Sequence, residues 1–256
     1  MKIPLLTITI AIVLTVSGVH AQTRRRHISK KPNPSAPTRR SEIGSTGVVL
    51  DETLSVLRQK PSLFADSIQR MRRGRKIQVL GVAENDGVRF YKVAAPLMAF
   101  GWVQADAVFG KFRSGDEERL ARLVQASDGF DQIELAVNFL ELYPNSKLRP
   151  SILLLFGDLL EEIAVKLSRD ANNRLSRREM AASAAPVHSY YLNFVSLDRY
   201  RKLGIVFKFN PATHAFHYDG ASWQELISKF SATPEAAEAK KRIEGLAEKM
   251  TNTAAR

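Results

Sequence analysis

Apolar and polar positions alternate along residues 43–110. In the segment RKIQVLGVA, Ile77 and Val79 fall on one face of a strand and the polar Gln78 on the other. RFYKVAA alternates in the same way, and TGVVL and GWVQADAVF add two further short apolar runs. ENDG, residues 84–87, is a strong hairpin signal between two of these runs. The pattern predicts several short strands that form a small barrel.

Helical spacing replaces this alternation in residues 114–256. DQIELAVNFLELYP has apolar residues three and four positions apart and ends at Pro144, and a second apolar helix follows it. SWQELISKF and the segment after Pro234 repeat the arrangement. We predict helix starts at Ser114 and Ser222, because each has a glutamate three residues later, as in a capping box. Each pair of helices is predicted to form an antiparallel hairpin.

A β-hairpin is predicted between the two helix pairs. IVFKFN and HAFHYDG alternate, and a turn that contains Pro211 separates them. The predicted fold class is therefore α+β with more than one domain. A small barrel over residues 43–110 is followed by a mostly helical hairpin domain over residues 114–256, with the β-hairpin as an insert.

Four segments resemble a known family. LSVLRQKPS, RRGRKIQVL, RFYKV and GWVQADAV occur in the order found in bacterial SH3-like (SH3b) domains, and the resemblance covers residues 46–110. Phe90 stands where the family commonly has tryptophan, and the apolar AAPLMAF stands where a polar turn is usual. LELYPNSKLRPS and ISKFSATPEAAE also resemble the turn of tetratricopeptide-type helical repeats. The resemblances imply an SH3-like barrel followed by a tetratricopeptide-like helical region.

The barrel carries the predicted ligand site. A proline and two neighbouring aromatic residues would line a groove for extended or proline-rich peptides. The tryptophan of the GWV motif either covers the barrel core or joins this groove. Two arginines belong to a basic loop that either is simply solvated or attracts acidic wall peptides and glycan polymers. The candidate ligand-binding residues are Pro61, Phe90, Tyr91, Trp102, Arg72 and Arg73.

The N-terminal 21 residues have the pattern of a secretory signal peptide. Lys2 precedes a short apolar run, and cleavage is expected after Ala21. The alternative is an uncleaved membrane anchor, although the run is short for a membrane span. A lipid-anchored form is excluded because the chain has no cysteine. We therefore predict export to the periplasm or the outside of the cell, and no transmembrane span after cleavage.

Residues 22–42 are predicted to form a disordered basic linker. They contain seven Lys or Arg and one Glu, which is half of the formal net charge of +12. A segment with so few apolar residues cannot bury enough surface to fold. The linker is either a solvated tether or a contact for anionic wall polymers or lipid headgroups. Because an exported chain does not meet the chromosome, nucleic acid is not a predicted partner.

The sequence offers little catalytic or metal-binding chemistry. His214 and His217 with Asp219 are a candidate metal set, but the two histidines would point to opposite faces of a strand. We find no phosphate-binding loop, dinucleotide fingerprint or nucleophile elbow. Glu161 and Glu162 are expected on an exposed helix face. We therefore predict no enzyme activity, no catalytic residues, no metal and no cofactor.

The predicted function is that of an exported, non-catalytic binding protein. Its SH3-like domain would bind cell-wall peptide, peptidoglycan or a protein ligand. One alternative is an envelope assembly scaffold that acts through the helical domain. Another is an accessory to a wall hydrolase, or an uncharacterised hydrolase. The sequence leaves the oligomeric state open.

Overall fold

The computed structural model of the protein describes residues 41–95 and 99–251. These residues belong to one compact unit. The predicted signal peptide, residues 1–21, and nearly all of the predicted linker, residues 22–42, lie outside the described residues. The α+β class is confirmed, because an antiparallel sheet comes first and helices follow it.

Seven strands form the first part of the chain. They are β1 (Thr46–Val49), β2 (Val56–Arg58), β3 (Ser67–Arg70), β4 (Arg75–Asn85), β5 (Val88–Ala95), β6 (Ala99–Gln104) and β7 (Val108–Phe109). All neighbouring strands are antiparallel, in the order β3-β2-β6-β5-β4-β1-β7. The edge strands β3 and β7 do not pair with each other in the described chain. The sheet is therefore open, and the predicted closed barrel is not confirmed.

The hairpin predicted at ENDG is confirmed. Asp86 and Gly87 join β4 to β5, with φ angles of 52° and 71°. A two-residue turn of this hand needs positive φ at both positions, which Asp and Gly tolerate. In β4, Ile77 and Val79 are buried and Gln78 is exposed, as the alternation predicts. The local pattern thus sets both the turn and the face of this strand.

Helices and a β-hairpin form the rest of the described chain. The hairpin predicted as an insert is confirmed as two strands between the sixth and seventh helices. None of the described helices is long and apolar enough to cross a membrane. The elements are α1 (Asp116–Ala126), α2 (Gly129–Leu142), α3 (Arg149–Arg174), α4 (Arg177–Ser183), α5 (Val187–Leu192), α6 (Asp198–Arg201), β8 (Phe207–Asn210), β9 (Ala215–Tyr218), α7 (Ala221–Lys229) and α8 (Pro234–Thr251).

The predicted capping boxes at Ser114 and Ser222 are wrong. The chain enters α1 through Gly115 and α7 through Gly220, with φ angles of 82° and 83° and no side-chain cap. Glycine adopts this left-handed conformation without strain and so sets the start of each helix. Ser222 lies within the first turn of α7, where its side chain is buried. The prediction that Pro234 is the first residue of α8 is confirmed.

One hydrophobic core extends from the sheet into the helices. Val48, Leu50 and Phe109 lie in the same buried cluster as Leu120 of α1 and Phe139 of α2. A second cluster inside the sheet contains Val49 of β1 and the inward residues of β4 to β6. Successive strand residues point to opposite faces, so β1 contributes to both clusters. The strand region and the helical region are therefore packed against each other.

Polar contacts hold the sheet and the helices together at the end of β7. The Tyr143 hydroxyl donates to the carbonyl oxygen of Gly110 at 3.3 Å. The Asp116 carboxylate accepts from the Gly110 backbone N–H at 3.1 Å. The Arg119 guanidinium lies 3.9 Å from the centroid of the Phe109 ring. These contacts fix the chain where it passes from strand to helix.

Candidate functional site

The two aromatic residues predicted for the groove, Phe90 and Tyr91, are buried. They are consecutive in β5, so their rings lie on opposite faces of the sheet. Tyr91 belongs to the inner core of the sheet, and its hydroxyl has no hydrogen-bond partner within the described chain. Burial raises the pKa of Tyr91. The two rings do not form a shared exposed surface, and ligand contact by them stays a prediction.

The other two groove residues, Pro61 and Trp102, are half-buried. Trp102 lies in β6 opposite Lys92 of β5. Pro61 lies in the β2–β3 loop, next to Ser62. The Ser62 hydroxyl donates to the Asp86 carboxylate at 2.7 Å, which ties this loop to the β4–β5 turn. Of the four groove residues, Pro61 and Trp102 are the ones with accessible surface.

The two candidate arginines have different environments. Arg72 is exposed. The side chain of Arg73 is only 12% exposed and forms ion pairs at 3.1 Å with both Asp131 and Glu134 of α2. Its Nε also donates to the carbonyl oxygen of Leu50 at 3.1 Å. Arg73 therefore connects the strand region to the helical region, and Arg72 is the member of the pair that faces solvent.

A cavity of about 310 Å³ lies in the helical region, between α2, α3, the residues before β8 and the start of α7. Its apolar wall includes Leu140, Leu153, Phe156, Ile205 and Tyr218. This volume is at the lower end of the range for small-ligand sites. The cavity therefore has room for a large apolar side chain or a small apolar ligand.

An ion pair borders this cavity. Arg149 donates to the Glu225 carboxylate at 2.8 Å and to the carbonyl oxygen of Leu140 at 2.7 Å. Glu141 and Asp219 also line the cavity, so its lining contains three carboxylates and one guanidinium. The rim is thus net acidic, and it favours a group that carries positive charge beside an apolar part.

One buried polar atom in the wall has no partner. Ser222 is 5% exposed, and its Oγ makes no hydrogen bond to any described residue. Its backbone N–H donates to the Tyr218 hydroxyl at 2.8 Å, and the Asp219 carboxylate accepts from the N–H of Ala221 at 3.0 Å. These bonds fix the first turn of α7 and the position of Ser222. A Cβ atom built on Gly157 would lie 2.7 Å from this Oγ, so the hydroxyl lies in the contact between α7 and α3.

Glu161 forms a second polar cluster, on another side of α3. Oε1 lies 3.0 Å from His217 Nδ1 and accepts from Lys249 Nζ at 2.7 Å, and Oε2 accepts from the Tyr218 backbone N–H at 2.9 Å. The expectation of an exposed Glu161 is wrong, because its side chain is only 14% exposed. Glu162 has an exposed side chain, as expected. No described group of three or more metal-ligating residues is placed to hold a metal ion.

This cluster predicts acid sensitivity. Burial alone would raise the pKa of Glu161, but the bonds from His217, Lys249 and the Tyr218 N–H outweigh it and lower the pKa below the usual 4.5. The resulting stability is fully present above the unfolded-state pKa and is lost as the pH falls through the lowered folded-state value. We expect Glu161→Gln to reduce the free energy of unfolding by about 1 kcal/mol at neutral pH. Thermal unfolding measured against pH should show this difference disappearing in acid.

The matched control for this prediction is Glu162→Gln on the same helix. Its exposed carboxylate lies 3.7 Å from Lys166, and such pairs contribute at most a few tenths of a kcal/mol. Its unfolding curve should follow that of the wild-type protein at every pH. Equal pH profiles for the two variants would contradict the assignment of acid sensitivity to Glu161.

Comparison with known proteins gives no guide to the cavity. No family model, no curated protein and no solved structure matches the chain. The chemistry of the cavity wall is therefore the guide to the function. The sequence pointed to Ser222 only as a helix start and included Arg149 only in the LELYPNSKLRPS resemblance, so neither was a candidate site residue. Neither lies in a motif with a known chemical role, and they are 73 positions apart in the chain.

Proposed function

We propose that the protein is an exported, non-catalytic binding protein whose helical region binds a peptide segment of an envelope protein or of the cell wall. The cavity beside α7 receives one apolar side chain of that segment. The observation that carries the proposal is the apolar wall of this cavity beside a rim that contains Arg149 and three carboxylates. Apolar walls with a few placed polar groups are typical of ligand sites.

The acidic rim narrows the class of peptide. Glu141, Asp219 and Glu225 outnumber Arg149 at the cavity. A peptide with a cationic residue next to the apolar one complements this charge. A hydrolase is disfavoured, because Ser222 has no hydrogen-bonded base in the described chain and His217 is bound to Glu161.

We also propose an SH3-like fold for the strand region. Its support is the order of the quoted segments, which contribute to β2, β4, β5 and β6 and run on into the short turn before β7. This support concerns the order of the strands along the chain. It does not include closure of the sheet into a barrel. We likewise propose that the helical region contains tetratricopeptide-like repeats. The support is the packing of α2 on α3 and of α7 on α8. Peptide binding is assigned to the helical region, because Phe90 and Tyr91 are buried in the sheet.

The experiment blocks the cavity without disturbing the fold. Ala221 is exposed at its mouth, and phenylalanine at this position places a ring over the opening. We expect Ala221→Phe to reduce recovery of a partner from solubilised envelope by tenfold or more. Ala247→Phe, which adds the same ring to an exposed position of α8 away from the cavity, should leave recovery unchanged.

Two separate results would contradict the proposal. Equal recovery with Ala221→Phe and Ala247→Phe would move the binding site away from the cavity. The mass of the purified chain tests export independently, because cleavage after Ala21 removes residues 1–21. A chain that retains Met1 and remains in the cytoplasm would contradict export. The position of the binding site at the cavity is tested separately, by the two variants.

A further inference from the structure

Residues 172–202 form an exposed basic segment between α3 and β8. The segment contains six Lys or Arg and two acidic residues, and all eight of these side chains are exposed. The two acids are Glu179 and Asp198, and Asp198 forms an ion pair with Arg201 at 3.1 Å. The basic residues are therefore only partly neutralised within the segment, which gives this side of the helical region a positive potential.

Apolar side chains project from the same segment. Val195 is 70% exposed, Val187 43% and Leu192 42%. Single exposed apolar residues are ordinary on protein surfaces, but three within nine residues of each other are a local concentration. Each costs free energy in water that is recovered when it enters an apolar phase.

The charged and apolar residues are neighbours in space. Arg174 and Val195 line one shallow depression, and Arg177 and Val187 line a second. Ala185 belongs to both depressions, so the surface is continuous. Arg201 donates to the carbonyl oxygen of Leu192. We call this surface the basic apolar patch, and it consists of Arg174, Arg177, Val187, Leu192, Val195 and Arg201.

The patch is held in place from beneath. The buried Tyr191 of α5 stacks on Phe209 with ring centroids 4.5 Å apart, and its hydroxyl donates to Asn172 at 2.7 Å. Phe194, one residue before Val195, is also buried in the main core. These contacts fix α5 and the chain that follows it, from which Val187 and Val195 project to the exposed side.

We propose that the basic apolar patch binds the surface of an anionic lipid bilayer. Arginines attract anionic headgroups, and the valines and leucine enter the boundary between headgroups and acyl chains. A soluble polyanion would use the arginines alone and leave Val195 in water. The combination of positive charge with projecting aliphatic side chains therefore favours a lipid surface. The proposal is independent of the cavity beside α7.

Vesicle sedimentation with the full chain tests the proposal. Vesicles of phosphatidylcholine alone are compared with an equal mixture of phosphatidylcholine and phosphatidylglycerol at low ionic strength. We expect binding to the mixed vesicles only. The double variant Arg174→Ala, Arg177→Ala should reduce the partition coefficient about 25-fold, since each charge near an anionic surface contributes about a fivefold factor. Val195→Ser should reduce it about threefold, and this loss should persist in high salt.

The charge-matched control is Arg122→Ala with Lys240→Ala, which removes two exposed charges from α1 and α8. All the proteins keep residues 22–42, so any contribution of that segment is the same in each. Equal binding by the patch variant and the control would overturn the proposal, and so would binding that needs no anionic lipid. If the patch variant lost heparin binding but kept vesicle binding, the patch would instead be a site for a soluble polyanion.

Discussion

Replacing Gly157 with alanine destabilises the protein by about 2 kcal/mol, although alanine is the better helix former. Gly157 lies in the middle of α3, where α7 packs against it. A Cβ atom at this position would lie 2.7 Å from both Ser222 Oγ and Trp223 Cε2, and closer still to Trp223 Nε1. Trp223 is buried, so its ring or the whole of α7 must shift to admit the added methyl group.

The magnitude follows from two opposing effects. Overpacking a well-filled core typically costs about 1–3 kcal/mol, and from the upper end of this range the helix propensity of alanine offsets about 1 kcal/mol. The expected fall in melting temperature is about 6 °C for a protein of this size. Because Ser222 also lines the cavity beside α7, the same variant should lose binding at that site.

Gly245→Ala is the matched control for Gly157→Ala. Gly245 is also inside a helix, α8, but a Cβ atom built on it meets nothing within 4 Å. Here the gain in helix propensity acts alone, and stability should rise by about 0.5–1 kcal/mol. Thermal unfolding would thus shift in opposite directions for the two variants. A stabilising effect of both would show that α7 does not depend on close contact with Gly157.

Local patterns predicted much of the fold. Alternation placed Ile77 and Val79 inward, ENDG gave the β4–β5 turn, and Pro234 marked the start of α8. Each of these depends on residues a few positions apart, so the sequence contains the whole signal. The capping boxes failed because the chain enters each helix through a left-handed glycine, and in α7 Asp219 and Tyr218 accept from the first N–H groups in place of a serine. Closure of the sheet depends on pairing between distant strands, which no short pattern specifies.

Glu161 shows how a buried polar residue was missed. Gly157, Leu160 and Ala164 are buried in α3, and Glu161 falls on the same face at helical spacing. Its position in that stripe indicated a buried side chain, but acidic residues usually face solvent, and this favoured the prediction of an exposed one. The partners that make burial tolerable, His217 and Lys249, are more than 50 residues away in the chain. The candidate site was missed for the same reason, because its residues meet only in the folded chain.

Arg73 illustrates the opposite error of interpretation. The sequence placed it in a basic loop with Arg72 and made both candidates for ligand binding. In the structure its guanidinium is bound to Asp131, Glu134 and the Leu50 carbonyl oxygen. Burial tends to lower the pKa of Arg73, but the bond and charge of Asp131 and the charge of Glu134 raise it overall. Its positive charge is therefore more stable in the folded chain than in the unfolded one.

Arg73→Ala should lower the free energy of unfolding by about 2 kcal/mol, because it leaves the Leu50 carbonyl oxygen and two carboxylates without their donor. At Glu134, burial raises the pKa of the carboxyl more than Arg73 lowers it, so Arg73 offsets only part of the cost of burying this charge. Denaturant unfolding measures the loss, which should shrink in high salt because Asp131 is 64% exposed.

Arg72→Ala separates a structural role from a ligand-binding role. Arg72 is the exposed neighbour of Arg73, and its loss should change stability by less than about 0.5 kcal/mol. If Arg73 instead served a ligand, both variants would unfold like the wild-type protein and differ only in binding. A stability loss confined to Arg73→Ala would show that the basic loop joins the sheet to α2. It would leave Arg72 as the one of these two arginines still free to meet a partner.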